Sequence, residues 1–495
     1  MKNSLNGIFL RLICGVFHLI MIMRLFYLLA ISLFFGQGMV FGQADIKIDV
    51  KNYDSDTLIF GYYMAERMLV YDTIYRNEDQ LFNIQRDSSL SPGMYIVVSV
   101  PQGIFYQVIV GEADQEFSVT IDTTAQQRIS FEGTEENELF YSYLDYIQQG
   151  RVEVANIDRV LATTDSTLVS VIDQLQKDKG SIDKMVQARQ AQIIENYPNS
   201  ISALLLKANL PFYFPEFEGS STEIQDQKFA YYKERYFDNI GTKHPAILRT
   251  PFLHERMNYY GSNLTHNEPD SLIKTVDYLL GLFEEDTEAY RYYLSYYLNK
   301  YANSKYIGMD AVYVHIALNY YAKGKASWIT EESKNEIVGN ARKLAPVLIG
   351  KKAPEFNVTQ EDGTPIVLSK LDNEYTVVVF WKPSCGHCTK AMPHVIEFQE
   401  AYRDKGIEVV AICTERGKKA ADCWKAIKEK KMEPLLNGID EFGKDRTVAR
   451  YYAVSTPMIY VIDKNGEIVI KKVPAENLGA VMDTIIPKVE VEIEE

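Results

Sequence analysis

Two cysteines three residues apart, directly behind a run of β-formers, constrain this chain more than any other feature. Residues 376–380 read Thr-Val-Val-Val-Phe, and Trp381-Lys382-Pro383-Ser384-Cys385-Gly386-His387-Cys388 follows. A buried-type strand, a turn with proline, and then a CxxC predict a dithiol placed where a strand hands over to a helix. The first turn of a helix leaves backbone N–H groups unpaired and carries partial positive charge, which favours a thiolate there. A thiolate is the attacking species in disulfide exchange.

The surroundings weigh against other readings of the pair. A zinc site needs two more ligands. His394 is near in sequence but faces elsewhere on a helix, and there is no second CxxC. His244, His254, His266 and His315 show no metal-ligand spacing, so no metal and no cofactor is expected. P-loop, dinucleotide and nucleophile-elbow patterns are missing from the sequence.

Residues 25–35 are an apolar run preceded by Arg24, and Gly42-Gln43-Ala44 makes a small-x-small cleavage signal. Residues 1–44 are therefore read as a secretory signal peptide, with Met21 or Met23 a more ordinary start than Met1. An uncleaved membrane anchor is the alternative, although Arg24 makes a single span costly. Either way the expected location is the periplasm or cell envelope. The formal charge of −15 becomes more negative still without that segment, which holds Lys2, Arg11 and Arg24 and no acid. Such a balance argues against nucleic acid or an anionic membrane surface as partner.

An exported chain meets an oxidising compartment. Outside residues 1–44 its cysteines are Cys385, Cys388, Cys413 and Cys423, all in the last quarter. This is no disulfide-stapled scaffold. Cys413 and Cys423 are candidates for a second disulfide, or else two small buried hydrophobes.

Periodicity divides the rest. Residues 45–135 show short alternating runs punctuated by Ser91-Pro92-Gly93 and Pro101-Gln102-Gly103, which predicts a β-sandwich. Residues 136–345 shift to a helical period cut by Pro198, Pro211, Pro215, Pro245, Pro251 and Pro269. Residues 346–495 alternate β and α runs, with Asn465-Gly466 marking a hairpin. The expected fold class is multidomain: an all-β sandwich, an α-helical middle region and a C-terminal α/β domain.

Residues 347–490 resemble the thioredoxin-fold thiol:disulfide oxidoreductases of the TlpA/ResA type. The resemblance rests on Gly350-Lys351-Lys352-Ala353-Pro354, Phe380-Trp381, Cys385-Gly386-His387-Cys388, Pro393 and Thr456-Pro457. It implies a thioredoxin fold in which Cys385 is the nucleophile and Cys388 the buried resolving thiol. Trp381, Gly386, His387, Thr456 and Pro457 support the site or contact substrate. The Thr456-Pro457 peptide is expected to be cis and to face the dithiol, its neighbouring backbone pairing with an extended substrate chain. Protein or peptide thiols and disulfides are the implied partners, with a membrane or periplasmic protein recharging the dithiol. Residues 45–345 look like the sandwich-plus-helix region that precedes such domains in exported bacterial proteins, a likeness that implies architecture and no chemistry.

Two departures stand out. Thioredoxin carries an acid where this chain has Val379, and ResA-type proteins carry one where it has Ala391. Glu397 is the remaining candidate for their proton-transfer role. His387 can supply positive charge near the thiolate. The same Cys-Gly-His-Cys serves protein disulfide isomerase, at about −180 mV against about −270 mV for thioredoxin. The expected function is exported thiol:disulfide exchange. A scaffolding protein with a minor redox role, or a dedicated reductase in cytochrome c maturation, are the alternatives.

Overall fold

The computed structural model describes residues 43–101, 103–124 and 128–486. The leader expected over 1–44 and the acidic tail at 490–495 lie outside the described residues, apart from Gln43 and Ala44. The described chain forms two compact units divided between Arg256 and Met257. The helical stretch expected over 136–345 therefore contributes to both.

In the first unit β1 (Ala44–Lys51), β2 (Thr57–Met64), β3 (Arg67–Tyr75), β4 (Phe82–Arg86), β5 (Gly93–Ser99), β6 (Phe105–Val110), β7 (Glu116–Asp122) and β8 (Arg128–Glu132) make two four-stranded sheets, ordered β4-β1-β7-β8 and β3-β2-β5-β6. Alternation in β1 buries Ala44, Ile46, Ile48 and Val50, and in β7 Phe117, Val119 and Ile121. One apolar core joins these side chains to Leu58, Phe60, Tyr95 and Val97 of the other sheet. β4 and β8 were not legible as strands, being short and polar at alternate positions.

Helices α1 (Glu135–Thr163), α2 (Val169–Asn196), α3 (Ile201–Ala208) and α4 (Ser221–Arg235) follow. Asn137 explains why α1 stays with the sheets. It is fully buried, accepts from the backbone N–H of Ile109 and donates to the Ile109 carbonyl. Ile201 and Leu205 of α3 pack against Met94 and Ile109. α1 and α3 thus pack on strands, and Ile193 of α2 packs on Tyr143 of α1 and Leu206 of α3. The division falls within α5 (Leu253–Asn263).

The second unit begins with α6 (Pro269–Gly281), α7 (Glu288–Ala302), α8 (Asp310–Ile316) and α9 (Glu331–Leu344). Proline in the first turn starts α6, while Thr287 and Thr330 cap α7 and α9. Seven strands come next: β9 (Asn357–Thr359), β10 (Pro365–Val367), β11 (Tyr375–Trp381), β12 (Ile407–Cys413), β13 (Leu436–Ile439), β14 (Met458–Asp463) and β15 (Ile468–Lys471). Interleaved with them are α10 (Gly386–Tyr402), α11 (Ala420–Glu429), α12 (Thr447–Arg450) and α13 (Leu478–Ile485). The strands order as β10-β9-β13-β12-β11-β14-β15, with β11, β12 and β13 parallel and β14 antiparallel to β11.

β11 lies inside the sheet, between β12 and β14, and is buried on both faces, which is why it reads as a continuous apolar run. Val377, Val379 and Trp381 point into the core shared with α10, and Val378 and Phe380 into the core shared with Tyr451 and Tyr460. β9 crosses so close to β13 that a Cβ on Gly438 would sit 2.5 Å from Val358 Cγ2. Only glycine fits there.

One ion pair ties α8 to the sheet. Lys471 Nζ lies 2.5 Å from Asp310 Oδ2 and donates to the Val347 carbonyl at 2.7 Å. Their side chains are 1% and 10% exposed. Burial pulls the Lys471 ammonium below its ordinary pKa, and the Asp310 carboxylate acts against that. Asp310 opens α8, where the helix dipole favours a negative charge.

Candidate active site

The site is assembled by strand register. Phe380 near the end of β11 pairs with Met458 at the start of β14. The residues just before Met458 therefore fall level with the turn that follows Trp381. Thr456-Pro457, a cis peptide, occupies that place. Cys385 Sγ donates to the Thr456 carbonyl across a 3.2 Å gap.

Cys385 is the N-cap of α10. Its backbone N–H reaches the Lys382 carbonyl, and its sulfur accepts from the backbone N–H of Cys388 at 3.2 Å. Both cysteines are free thiols, Cys385 half-buried and Cys388 buried. Burial opposes ionisation of Cys385. The Cys388 thiol, the Thr456 side chain and the backbone N–H groups of Cys388 and His387 together outweigh it and hold the Cys385 thiol below its ordinary pKa. Burial, then the neighbouring Cys385, pushes Cys388 up to about 11. The two sulfurs are thus divided into an accessible thiolate former and a protonated thiol beneath it.

This division has a direct chemical consequence. A lowered pKa shifts the thiolate fraction to lower pH, so Cys385 alkylates readily while Cys388 stays protonated. Iodoacetamide at about pH 7 is expected to label Cys385 alone, its rate levelling off below the pH at which an ordinary thiol does so. Peptide mass mapping across pH checks this, and equal labelling of both cysteines would contradict it.

The predicted supporting residues take distinct places. Trp381 has no exposed surface and packs in the cluster that holds Cys388, so it shapes the core and does not touch solvent or substrate. His387 acts on Cys385 through its backbone N–H, while its side chain is exposed and lines a cleft. A Cβ on Gly386 would meet nothing within 4 Å, so neither space nor backbone conformation requires glycine there. Val379 and Ala391 lie in the same apolar cluster as Cys388, which leaves that thiol among hydrocarbon where the resemblance led one to expect a carboxylate. Glu397 does not replace it: the side chain is 75% exposed and lies 3.6 Å from His394 Nδ1. Cys413 and Cys423 are bonded to each other. Cys413 pairs in register with Trp381, and both half-cystines share the Cys388 cluster.

Beside the dithiol opens a cleft of about 950 Å³. His387, Lys390 and His394 of α10 form one side, with Val454, Thr456 and Pro457 below. Val454 is 73% exposed. Lys390, Val454 and the cleft itself were not anticipated from sequence, because no spacing pattern marks them.

The AhpC/TSA family profile matches residues 349–471, which covers the dithiol, β11 to β15 and Thr456-Pro457. The chain is similar to a thiol-disulfide oxidoreductase ResA of Bacillus cereus, 32% identical over 124 residues, which span 25% of this chain and 68% of that protein. The chain belongs to the ResA-type thiol-disulfide oxidoreductases. A ResA of Bacillus thuringiensis subsp. konkukian is 28% identical over 142 residues, covering 28% of this chain and 78% of the relative. Among solved structures, a domain of a possible thiol-disulfide isomerase from Cytophaga hutchinsonii is 35% identical, covers 28% of this chain and 95% of its own, and superposes with a TM-score of 0.27. The ResA-type part of the chain is its C-terminal portion; residues before 349 lie outside the family profile.

Proposed function

We propose that this ResA-type oxidoreductase exchanges disulfides with exported polypeptides, Cys385 attacking and Cys388 resolving. The carrying observation is the cap geometry: an accessible sulfur 3.2 Å from a helix N-terminal amide, with a second thiol buried one turn in. The Cys385 thiolate attacks one sulfur of a substrate disulfide. A mixed disulfide forms and the other substrate sulfur leaves as a thiolate, which takes up a proton. Cys388 then loses its proton and attacks Cys385 Sγ. The intramolecular disulfide forms and the second substrate thiol is released. Two electrons and two protons pass to the substrate. Run backwards, the same steps oxidise a substrate dithiol, and the partner that recharges the site sets the direction.

Backbone supports a polypeptide as substrate. Among the described residues no acceptor is present for the N–H groups of Ser455 and Thr456, beside the sulfur. An extended chain laid along this edge would satisfy them. The Cys413–Cys423 disulfide supports an oxidising compartment, as does the apolar leader read over residues 1–44. Among the described residues no helix is long and apolar enough to cross a membrane.

Trapping tests the reading. Cys388→Ser is expected to accumulate mixed disulfides through Cys385 that dithiothreitol releases. Finding no adducts, or adducts that persist when Cys385 is also replaced, would favour a scaffolding role.

A further inference from the structure

The cleft beside Cys385 has a second wall that the family profile does not contain. Tyr301 and Ala302 at the end of α7, Tyr313 of α8, and Asn340 and Leu344 of α9 face the same space as His387 and Thr456. All precede residue 349, where the family match begins.

This wall is fastened at two points. Asp310, at the start of α8, is held by buried Lys471 at the end of β15. Lys472 adds a second ammonium 3.6 Å from the same carboxylate. The Tyr452 hydroxyl donates to Asn340 Oδ1 at 3.3 Å, so α9 also grips the loop that carries Val454 and Thr456. The Tyr313 hydroxyl is taken by the Ile337 carbonyl, which links α8 to α9. The wall and the substrate edge thus keep one spacing.

We propose that α7 to α9 form a specificity wall that holds an extended polypeptide segment against the dithiol and discriminates it from low-molecular-weight disulfides. The proposal rests on the exchange reaction assigned to Cys385. The cleft, about 950 Å³, offers two features that favour a polypeptide occupant. Its floor presents exposed Val454 beside the backbone of Ser455 and Thr456, so apolar side chains and main chain are offered together. Its charges are mixed, with Lys390 on one side and Glu476 on another, which suits a varied sequence rather than one charged small molecule. On this proposal a small disulfide needs only the Cys385 sulfur and no contact with α7.

Ala302 offers a clean test because it is exposed and lines the cleft, so enlarging it spares the core. Ala302→Trp is expected to raise KM for insulin about tenfold, equivalent to about 1.4 kcal/mol of binding. The rate with dipyridyl disulfide is expected to stay within about twofold of the parent protein. Asn340→Ala, which releases the Tyr452 loop, is expected to move the same ratio in the same direction. Unchanged insulin kinetics in Ala302→Trp overturn the proposal, and so does an equal loss with both disulfides. Parent protein that turns over neither disulfide would instead overturn the exchange reading itself.

Discussion

Replacing Cys385 with serine is expected to lower disulfide exchange by on the order of 10³-fold or more. The physical reason is specific to this position. Its sulfur is the accessible one of the pair, and its ionised form is favoured by the Cys388 thiol and by the backbone N–H groups of Cys388 and His387. A serine hydroxyl there receives the same hydrogen bonds but remains protonated at neutral pH. Cys388 cannot take over, since it is 1% exposed and its pKa is pushed up to about 11. Cys388→Ser differs in kind: the first attack survives and turnover stops at the mixed disulfide. Insulin reduction with dithiothreitol, followed for both variants beside the parent, separates the two. Cys385→Ser retaining a tenth or more of parent activity would sink the assignment.

Lys471→Met is expected to destabilise the second unit by about 3–5 kcal/mol. It removes the ammonium that sits 2.5 Å from Asp310 and leaves a carboxylate that is 10% exposed. Lys472 compensates only in part, because it lies 3.6 Å away and its side chain is 47% exposed. For a body of this size such a loss corresponds to a fall in Tm of about 10 °C. Asp310→Leu combined with Lys471→Met removes both charges and is expected to recover most of the difference, since apolar replacements of a buried pair are often neutral or better. Calorimetry of the three proteins checks this. A single Lys471→Met variant within about 1 kcal/mol of the parent would show that the pair is not holding α8 to the sheet.

The chemistry was legible in sequence because it is local. A strand, a turn and a helix start within residues 376–388 bring the cysteines to a cap without help from the rest of the chain. Thr456-Pro457 was legible through resemblance, and the register of β11 with β14 is the physical means by which it reaches Cys385. Short strands were harder. β13, only four residues long, holds a glycine whose need is visible only once Val358 is opposite it. Gly386 is the reverse case: it is part of the motif, yet nothing around it requires the missing Cβ. The helical stretch read as one region of several helices, but Asn137 docks its first helix on β6 while Asp310 docks a later one on β15, which divides its helices between two units.

By itself the sequence determined the β, helical and β/α stretches and the dithiol at a helix start, since residue period and capping chemistry act over a few neighbours. Only the tertiary structure decided that Cys413 bonds Cys423, that apolar Val379 and Ala391 surround Cys388, and that α7 to α9 wall the cleft. Each of those depends on burial and on partners far apart in the chain, and neither leaves a spacing to be read.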